Sequence, residues 1–257
     1  MLHNIWCIYK REMRTYATTS SVYVVMVLFT LISGYFFNRI VDWFAFASPQ
    51  MASQQYGHYD INFTEMVINP VLMNTSIVML FVLPILTMRL FAEEKRLGTA
   101  ELLFSYPLRD TDVLLGKFAA SVTVFTIMLG LTGINMCLLI HYGDPEIGPM
   151  LVGHLGLWLM GVSFISLGIF ISSLTESQVV AAVGGLGSLL LLWVISWAGE
   201  RAGQGLRQLF EQVSIYYHFG NMAKGVIETN DIVYYVMFTV LFLFLTTRSL
   251  ESKKWRS

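Results

Sequence analysis

Residues 89–117 read RLFAEEKRLGTAELLFSYPLRDTDVLLGK, and they form the one long, densely charged stretch of an otherwise apolar chain. The stretch separates two apolar runs, Val71–Met88 and Phe118–Ile140. Each run is long enough to cross the hydrocarbon core of a bilayer as a helix. The pattern therefore predicts a hydrophilic loop that joins two membrane-spanning helices.

The first part of this loop predicts a helix that leaves the membrane and then stops. The charged run Glu93–Arg96 continues the preceding helix into water. Gly98 can take the positive φ that the position after a helix end favours, because glycine has no Cβ to clash with the backbone. We expect the helix to end at this glycine.

The second part of the loop predicts a short, separate helix over residues 100–104. Thr99 can cap this helix, and Glu101 in its first turn is favoured by the positive end of the helix dipole. Pro107 stops it, because the residue before a proline is pushed out of the α region. A brief helix held crosswise between two spans can dock into a groove on a soluble partner. Its apolar side would consist of Leu102, Leu103 and Phe104.

The loop resembles the cytoplasmic loop of ABC-2 type transporter permeases. The resemblance rests on Glu93-Glu94-Lys95-Arg96-x-Gly98-Thr99-x-Glu101-Leu102-Leu103, then Pro107, then Leu115-Gly116-Lys117. Within that family the chain most resembles the gliding-motility-associated and copper-enzyme-maturation permeases. Four tail motifs resemble the last span of that branch and its flanks: His218-Phe219, Lys224-Gly225-Val226-Ile227, Asp231-Ile232-Val233-Tyr234-Tyr235 and Arg248-Ser249-Leu250-Glu251-Ser252-Lys253-Lys254-Trp255.

The resemblance implies a role for the short helix, because in that family it is the coupling helix that fits a cleft on the ATP-binding subunit. The coupling helix would here be residues 99–105. Two permeases, identical or homologous, would assemble with two ATP-binding subunits, which bind the ATP and Mg²⁺. A periplasmic or extracellular accessory subunit is a further partner that the resemblance allows. The implied docking residues are Glu93, Glu94, Arg96, Gly98, Thr99, Glu101, Leu102, Leu103 and Phe104.

A plainer interpretation of the same residues stays open: a solvated charge cluster beside the membrane that only fixes topology. We favour docking because the charged run breaks at Gly98 and resumes with a capped helix that has an apolar side.

Composition indicates an integral membrane protein. Of 257 residues, 55% are hydrophobic and 13% are charged, with a mean hydropathy of +0.62. Soluble domains carry about 25% charged residues. No basic face of the kind that nucleic-acid binding requires is visible in the sequence. Cys7 and Cys137 are far apart and fall on different predicted sides of the membrane, so no disulfide framework is expected.

The predicted fold is an all-α membrane protein that forms one permease domain over residues 1–257. An N-terminal elbow helix is expected at 3–20, where apolar and basic side chains are mixed as in interfacial helices. A polar loop is expected at 38–69, with Asn69-Pro70 starting the second span. The resemblance implies the ABC-2 (type V exporter-like) architecture, with a re-entrant outer segment at 199–230. The six spans are predicted at about 22–37, 71–90, 118–140, 151–171, 178–198 and 232–247.

The distribution of cations predicts the orientation of the chain. Of the 16 Lys and Arg residues, 12 fall in the N-terminus, the 89–117 loop and the tail, which six spans place on one side. Because cytoplasmic segments are enriched in Lys and Arg, both termini are expected in the cytoplasm. The resemblance implies the bacterial cytoplasmic (inner) membrane.

The sequence also argues against several active-site classes. Apart from Arg89 at the end of the second span, no Asp, Glu, Lys or Arg falls inside the six spans as bounded above, which counts against a proton-driven carrier. A sodium site built from backbone carbonyls stays open. The chain has no P-loop, because Gly116-Lys117 is followed by Phe118. The histidines match no zinc-ligand spacing, so no metal site is expected. The chain has no His-Glu-x-x-His and no Gly-x-Ser-x-Gly motif, so no catalytic site is expected either.

The predicted function is a non-catalytic permease subunit that couples ATP hydrolysis by a separate chain to export or to mechanical work. Two alternatives stay open: a membrane scaffold that transports nothing, and an ion-coupled secondary carrier. The substrate, and the choice between a homodimer and a heterodimer of permeases, are not encoded in any motif that we recognise.

Overall fold

The fold is described by a computed structural model over residues 2–53, 63–98, 109–142, 145–201 and 212–254. Within these ranges all regular secondary structure is helical, which confirms the predicted all-α class. The α-helices are α1 (Leu2–Thr18), α2 (Ser20–Ser53), α3 (Asn69–Thr87), α4 (Arg89–Arg96), α5 (Asp110–Tyr142), α6 (Ile147–Leu174), α7 (Gln178–Arg201), α8 (Ile215–Ala223) and α9 (Thr229–Lys254).

Six helical stretches in the described ranges are long and apolar enough to cross a membrane, the number expected from sequence. They are Ser20–Gln50, Thr64–Arg96, Asp110–His141, Ile147–Leu174, Gln178–Ile195 and Thr229–Ser252. The helix at the position of the expected elbow is α1, which ends at Thr18. The predicted re-entrant segment at 199–230 falls partly on residues 202–211, outside the described residues, and its described part contains α8.

The first span is longer than the prediction of 22–37, and the polar loop expected from residue 38 is wrong as far as residue 53. Helix α2 has 34 residues. At 1.5 Å per residue it is about 51 Å long, well beyond the roughly 30 Å of a bilayer core. Hydropathy identifies only the part of a helix that suits lipid, so it predicts a loop where the helix continues with polar residues. Phe44 on that continuation packs edge-on against Phe63, with ring centroids 5.1 Å apart.

The second span begins before the predicted Asn69-Pro70 start. Helix α3 does begin at Asn69, but a π-helical turn, Thr64–Ile68, leads directly into it. Pro70 has no N–H to donate to the carbonyl of Met66, so the α-helical hydrogen-bond ladder lacks one bond at this point. The widened turn keeps the chain helical, with the Asn69 N–H donating to the carbonyl oxygen of Thr64. Asn69 therefore makes no side-chain cap.

Helix α6 lies at the centre of the bundle, packed against α3, α5, α7, α8 and α9. Four of its five glycines allow this close packing, because a Cβ at any of the four would collide with a side chain of a neighbouring helix. The facing side chains are Leu72 for Gly153, Met222 and Phe219 for Gly156, Phe125 for Gly161 and Thr87 for Gly168. Close helix approach through small residues is the usual packing mode in membranes.

The two ends of α6 define the two ends of the bundle. Near its carboxyl end, Ser172 and Ser173 contact α4 and α9, and we call this side the loop end. Nearer its amino end, Gly156 packs against α8, and we call this side the far end. Gly156 and Ser172 are separated by about 24 Å along the helix.

Gly225, just after α8, is expected to tolerate no side chain. Its φ is +86°, and a Cβ there would lie 2.8 Å from the Cα of Pro149. Left-handed backbone strains any residue with a Cβ, and Pro149 backbone cannot easily move aside. We expect Gly225→Ala to cost about 2 kcal/mol of stability, measured by SDS-induced unfolding. Gly220→Ala on α8 is the matched control, since a Cβ there meets nothing within 4 Å. Equal stability of the two variants would contradict this packing.

Candidate functional site

The structure describes some of the predicted docking residues and not the others. Glu93, Glu94 and Arg96 lie in the last turn of α4, and Gly98 follows it. The predicted coupling helix, residues 99–105, lies outside the described residues, as do Thr99, Glu101, Leu102, Leu103 and Phe104. The described site is therefore the base of the loop: the end of α4 before it and the start of α5 after it.

Helix α4 ends in the way that its sequence predicts. The N–H of Leu97 donates to the carbonyl of Glu93 at 3.0 Å, and that of Gly98 donates to the carbonyl of Lys95 at 3.1 Å. Gly98 has a φ of +69°. Lys95 and Arg96 in the last turn carry positive charge at the negative end of the helix dipole.

Four charged residues from three helices form an ion-pair cluster at the loop base: Arg11 and Glu12 of α1, Glu94 of α4 and Lys117 of α5. The Lys117 ammonium lies 2.9 Å from a carboxylate oxygen of Glu12 and 2.9 Å from one of Glu94. Arg11 reaches the same Glu94 oxygen at 3.2 Å. The cluster thus links the elbow helix to both stems of the loop.

The cluster is buried around Lys117 and exposed around Arg11. The Lys117 side chain is 2% exposed, against 9% for Glu12, 13% for Glu94 and 53% for Arg11. The Lys117 ammonium also lies 5.4 Å from the ring centroid of Phe91, within cation–π range. Two acids and two bases leave no net charge, which is the condition under which buried ions are tolerated.

Helix α1 is attached to α5 along its length by further polar contacts. The Tyr16 hydroxyl lies 2.9 Å from the hydroxyl of Ser121, and the Tyr9 hydroxyl donates to Thr123 at 3.3 Å. Burial raises the pKa of the Tyr16 phenol, so Tyr16 stays neutral and keeps its hydrogen bond at physiological pH. The elbow helix is therefore held to α5 by hydrogen bonds as well as by charge.

A serine hydroxyl from α6 enters the junction between α3 and α4. Ser172 Oγ accepts hydrogen bonds from the N–H groups of Phe91 and Ala92, at 3.1 and 3.2 Å, and donates to the carbonyl of Met88 at 2.9 Å. An α-helix would join the Ala92 N–H to the Met88 carbonyl directly, so the hydroxyl is inserted into that ladder. Such an insertion breaks a helix locally, four residues after Pro84. The α3–α4 junction is thereby fixed to α6.

Removing this hydroxyl is expected to loosen the base of the loop. Ser172→Ala leaves the Phe91 N–H and the Met88 carbonyl without their buried partner, which costs about 1 to 2 kcal/mol. SDS-induced unfolding in lipid-detergent micelles measures the loss. Ser188→Ala is the control, because its hydroxyl donates only to the carbonyl of Gly184 in its own helix. A Ser172→Ala protein as stable as the Ser188→Ala protein would show that the inserted hydroxyl contributes nothing.

Sequence reasoning missed Glu12 and Lys117 as partners. By sequence, Lys117 is one of the cations that predict orientation, and the third span is predicted to begin one residue after it. The available signal was Glu12, the only acidic residue among residues 3–20, set among Lys10, Arg11 and Arg14. Its partner is 105 residues away in sequence, a separation that no local pattern reveals. Ser172 carried no signal at all.

The described residues show no metal centre. Within the described ranges no three His, Cys, Asp or Glu side chains lie close enough together to hold a metal ion.

The bundle of six apolar spans, with a charged loop base joined to an N-terminal helix, defines a multi-pass membrane protein. The family described as ABC-2 family transporter protein matches residues 6–255, so the chain belongs to that family. Its members are membrane transport components and are not themselves catalytic. No curated protein matches the chain.

Proposed function

We propose that this chain is the permease subunit of an ABC transporter whose ATP is hydrolysed by a separate chain, and that residues 99–105 dock on that chain. The ATP-binding subunit would carry the ATP and Mg²⁺. A second permease copy, or a homologous permease, would complete the membrane part. Membership of the ABC-2 family supports an ATP-binding partner in general. The docking residues that we assign are those of the loop resemblance, from Glu93 to Phe104.

The observation that carries this proposal is the ion-pair cluster at the loop base. A push on residues 99–105 reaches the membrane through their two stems, α4 and α5. Lys117 joins those stems through Glu94, and it joins both to α1 through Glu12. Because a buried ion pair is costly to separate, the three helices respond to a push as one unit. A loop that only set topology would not need its stems joined in this way.

The position of the chain ends supports the orientation that we propose, with both termini in the cytoplasm. Helix α1 belongs to the ion-pair cluster at the loop end. The last helix, α9, reaches the same end, where Ser173 Oγ donates to Ser249 Oγ at 3.3 Å. The cation-rich segments thus lie together at one end of the bundle, as the positive-inside rule requires. We place the protein in a bacterial cytoplasmic membrane.

We further propose that the chain falls in the gliding-motility-associated and copper-enzyme-maturation branch, on the strength of the tail motifs. That assignment leaves two uses of the ATP-driven movement: export of a molecule, or mechanical work on a periplasmic or extracellular partner. Both begin with the same docking step at the loop, so the experiment below addresses that step.

The test is the ATPase activity and subunit ratio of the complex purified through a tag on this chain. Arg96→Ala and Thr99→Ala alter the proposed docking surface, and Arg96 is exposed at the end of α4. Both are expected to lower the amount of co-purified ATP-binding subunit without changing the unfolding midpoint of this chain. Glu176→Ala, in the exposed turn between α6 and α7, is the control.

Unchanged assembly and activity in both docking variants would favour the scaffold alternative. Transport that persists without any ATP-binding chain, but collapses with an ion gradient, would establish the carrier alternative.

A further inference from the structure

An open cavity of about 850 Å³ lies at the far end of the bundle, between α8 and the first half of α9. It is distinct from the loop base, which is at the opposite end of α6. One part of its wall is polar, with Gln212, His218, Glu228, Asn230 and Asp231. The other part is apolar and aromatic, with side chains that follow one face of α9 towards the membrane core: Val233, Tyr234, Met237, Phe238 and Leu241.

A buried histidine–aspartate pair forms the deep polar part of this cavity. His218 Nδ1 lies 2.7 Å from Asp231 Oδ1, and His218 Nε2 lies 3.2 Å from the carbonyl oxygen of Gln212. A carboxylate and a carbonyl are both acceptors, so each imidazole nitrogen that carries a proton donates it to one of these two groups. The ring is held flat against Tyr234, with centroids 4.1 Å apart.

The second carboxylate oxygen of Asp231 has no such partner. Asp231 is 2% exposed, and no hydrogen-bond donor among the described residues reaches its Oδ2. A buried acceptor left unsatisfied costs about 1 to 3 kcal/mol, so its place at a cavity wall indicates a donor that enters from the cavity. Asp231 lies in the first turn of α9, yet its side chain accepts no backbone N–H there within the described residues.

The charge of the wall selects the ligand. Two carboxylates line the cavity, Asp231 and the exposed Glu228, and its described lining contains no Lys or Arg; its one imidazole, His218, is paired with Asp231 Oδ1. Tyr217, Tyr234 and Phe238 offer aromatic faces, which attract cations. The apolar side chains of α9 that continue the cavity are largely uncovered, with Met237 65% and Leu241 51% exposed. An ammonium group suits the first part of this wall, and an alkyl chain suits the second.

We propose that this cavity binds an amphiphile with a primary ammonium head and an alkyl chain. The ammonium donates to Asp231 Oδ2, and the chain lies along Val233, Met237 and Leu241. The site is formed within one chain and does not depend on an ATP-binding partner. The ligand proposal can therefore be correct when the proposed function is wrong, and it can be wrong when the proposed function is correct.

The test uses dodecylamine that carries a photoactivatable diazirine on its alkyl chain. This probe is applied to the protein in phosphatidylcholine nanodiscs. The matched diazirine dodecanoate, which has the same chain and a negative head, measures non-specific partitioning into lipid. Labelled positions are read by peptide mass spectrometry, and the half-saturating concentration is measured by competition with unmodified dodecylamine. We expect saturable labelling of α8 and α9 by the amine at a concentration at least tenfold below that of the carboxylate.

Two variants test separately the contact to the ammonium head and the contact to the alkyl chain of the ligand. Asp231→Asn keeps the shape of the side chain and is expected to raise the half-saturating concentration at least tenfold. Because this change also weakens the pair with His218, Met237→Trp provides a second test. It fills the cavity from an exposed position and is expected to abolish labelling without loss of fold. Glu146→Gln, an exposed acid just before α6, is the control and should change nothing.

Two results would overturn the site. The first is equal labelling by the amine and the carboxylate. The second is amine labelling that Met237→Trp leaves intact. A further arm replaces half of the lipid with phosphatidylethanolamine, which carries the same ammonium. Loss of probe labelling there identifies the membrane lipid as the source of the ligand, whereas retained labelling identifies a free amine.

Discussion

Lys117→Met is expected to cost this protein about 3 kcal/mol of stability. The substitution keeps the length and apolar stem of the side chain but removes the ammonium that two carboxylates share. Glu94 retains Arg11, whereas Glu12 is left buried with no counter-charge from the cluster. Removing one partner of a buried ion pair is among the most costly single changes, because the remaining charge stays desolvated. SDS-induced unfolding in lipid-detergent micelles measures the loss.

Two further variants give this prediction its control. Lys10→Met removes an exposed lysine from α1 and is expected to leave stability unchanged. The triple variant Glu12→Met, Glu94→Met, Lys117→Met removes every buried charge of the cluster and should recover most of the loss. Such recovery is expected because well-packed hydrophobic residues of similar volume can replace buried ions at little cost. If the Lys117→Met and Lys10→Met proteins had the same unfolding midpoint in SDS, the cluster would not stabilise the loop base.

Leu103→Asp is expected to abolish docking while leaving this chain folded. Under the proposed function, Leu103 lies on the apolar side of the coupling helix and is covered by the ATP-binding subunit. A carboxylate placed in such an interface loses its water without gaining a cation, a cost that exceeds the 1.4 kcal/mol of a tenfold affinity change. The amount of ATP-binding subunit recovered with this chain should fall at least tenfold.

The conservative variant keeps this second prediction specific. Leu103→Met preserves an apolar side chain of similar size and should restore nearly full recovery of the ATP-binding subunit. The unfolding midpoint of this chain should be the same in both variants. Normal recovery of the partner with Leu103→Asp would place the docking surface elsewhere and return the loop to the role of a charge cluster that fixes topology.

The features that sequence predicted well are those set by local chemistry. The end of α4 at Gly98 follows from the freedom of a single glycine. The six spans follow from runs of apolar residues measured against the thickness of a bilayer. The short helix proposed at 99–105 rests on the same kind of argument and stays a prediction.

The features that sequence did not reveal depend on distant contacts or on the solvent. Nothing near Ser172 indicates that its hydroxyl enters another helix at Met88. Likewise, Lys117 looks like any cation beside a membrane until Glu12 and Glu94 are brought to it by folding. The extension of α2 was missed for another reason: its polar residues reduce hydropathy without ending a helix that packing supports. The site thus needed the structure, whereas the fold class did not.

The central claim is that α1, α4 and α5 form one unit that moves when the loop is pushed. Pulsed electron resonance between spin labels tests this claim in the assembled complex, with Cys7 and Cys137 replaced by serine. One label pair, at Lys10 and Leu115, spans α1 and α5; the other, at Lys10 and Ser252, spans α1 and α9. We predict that the first distance is the same without nucleotide and with trapped ATP, while the second distance changes. A first distance that changes as much as the second would contradict the claim.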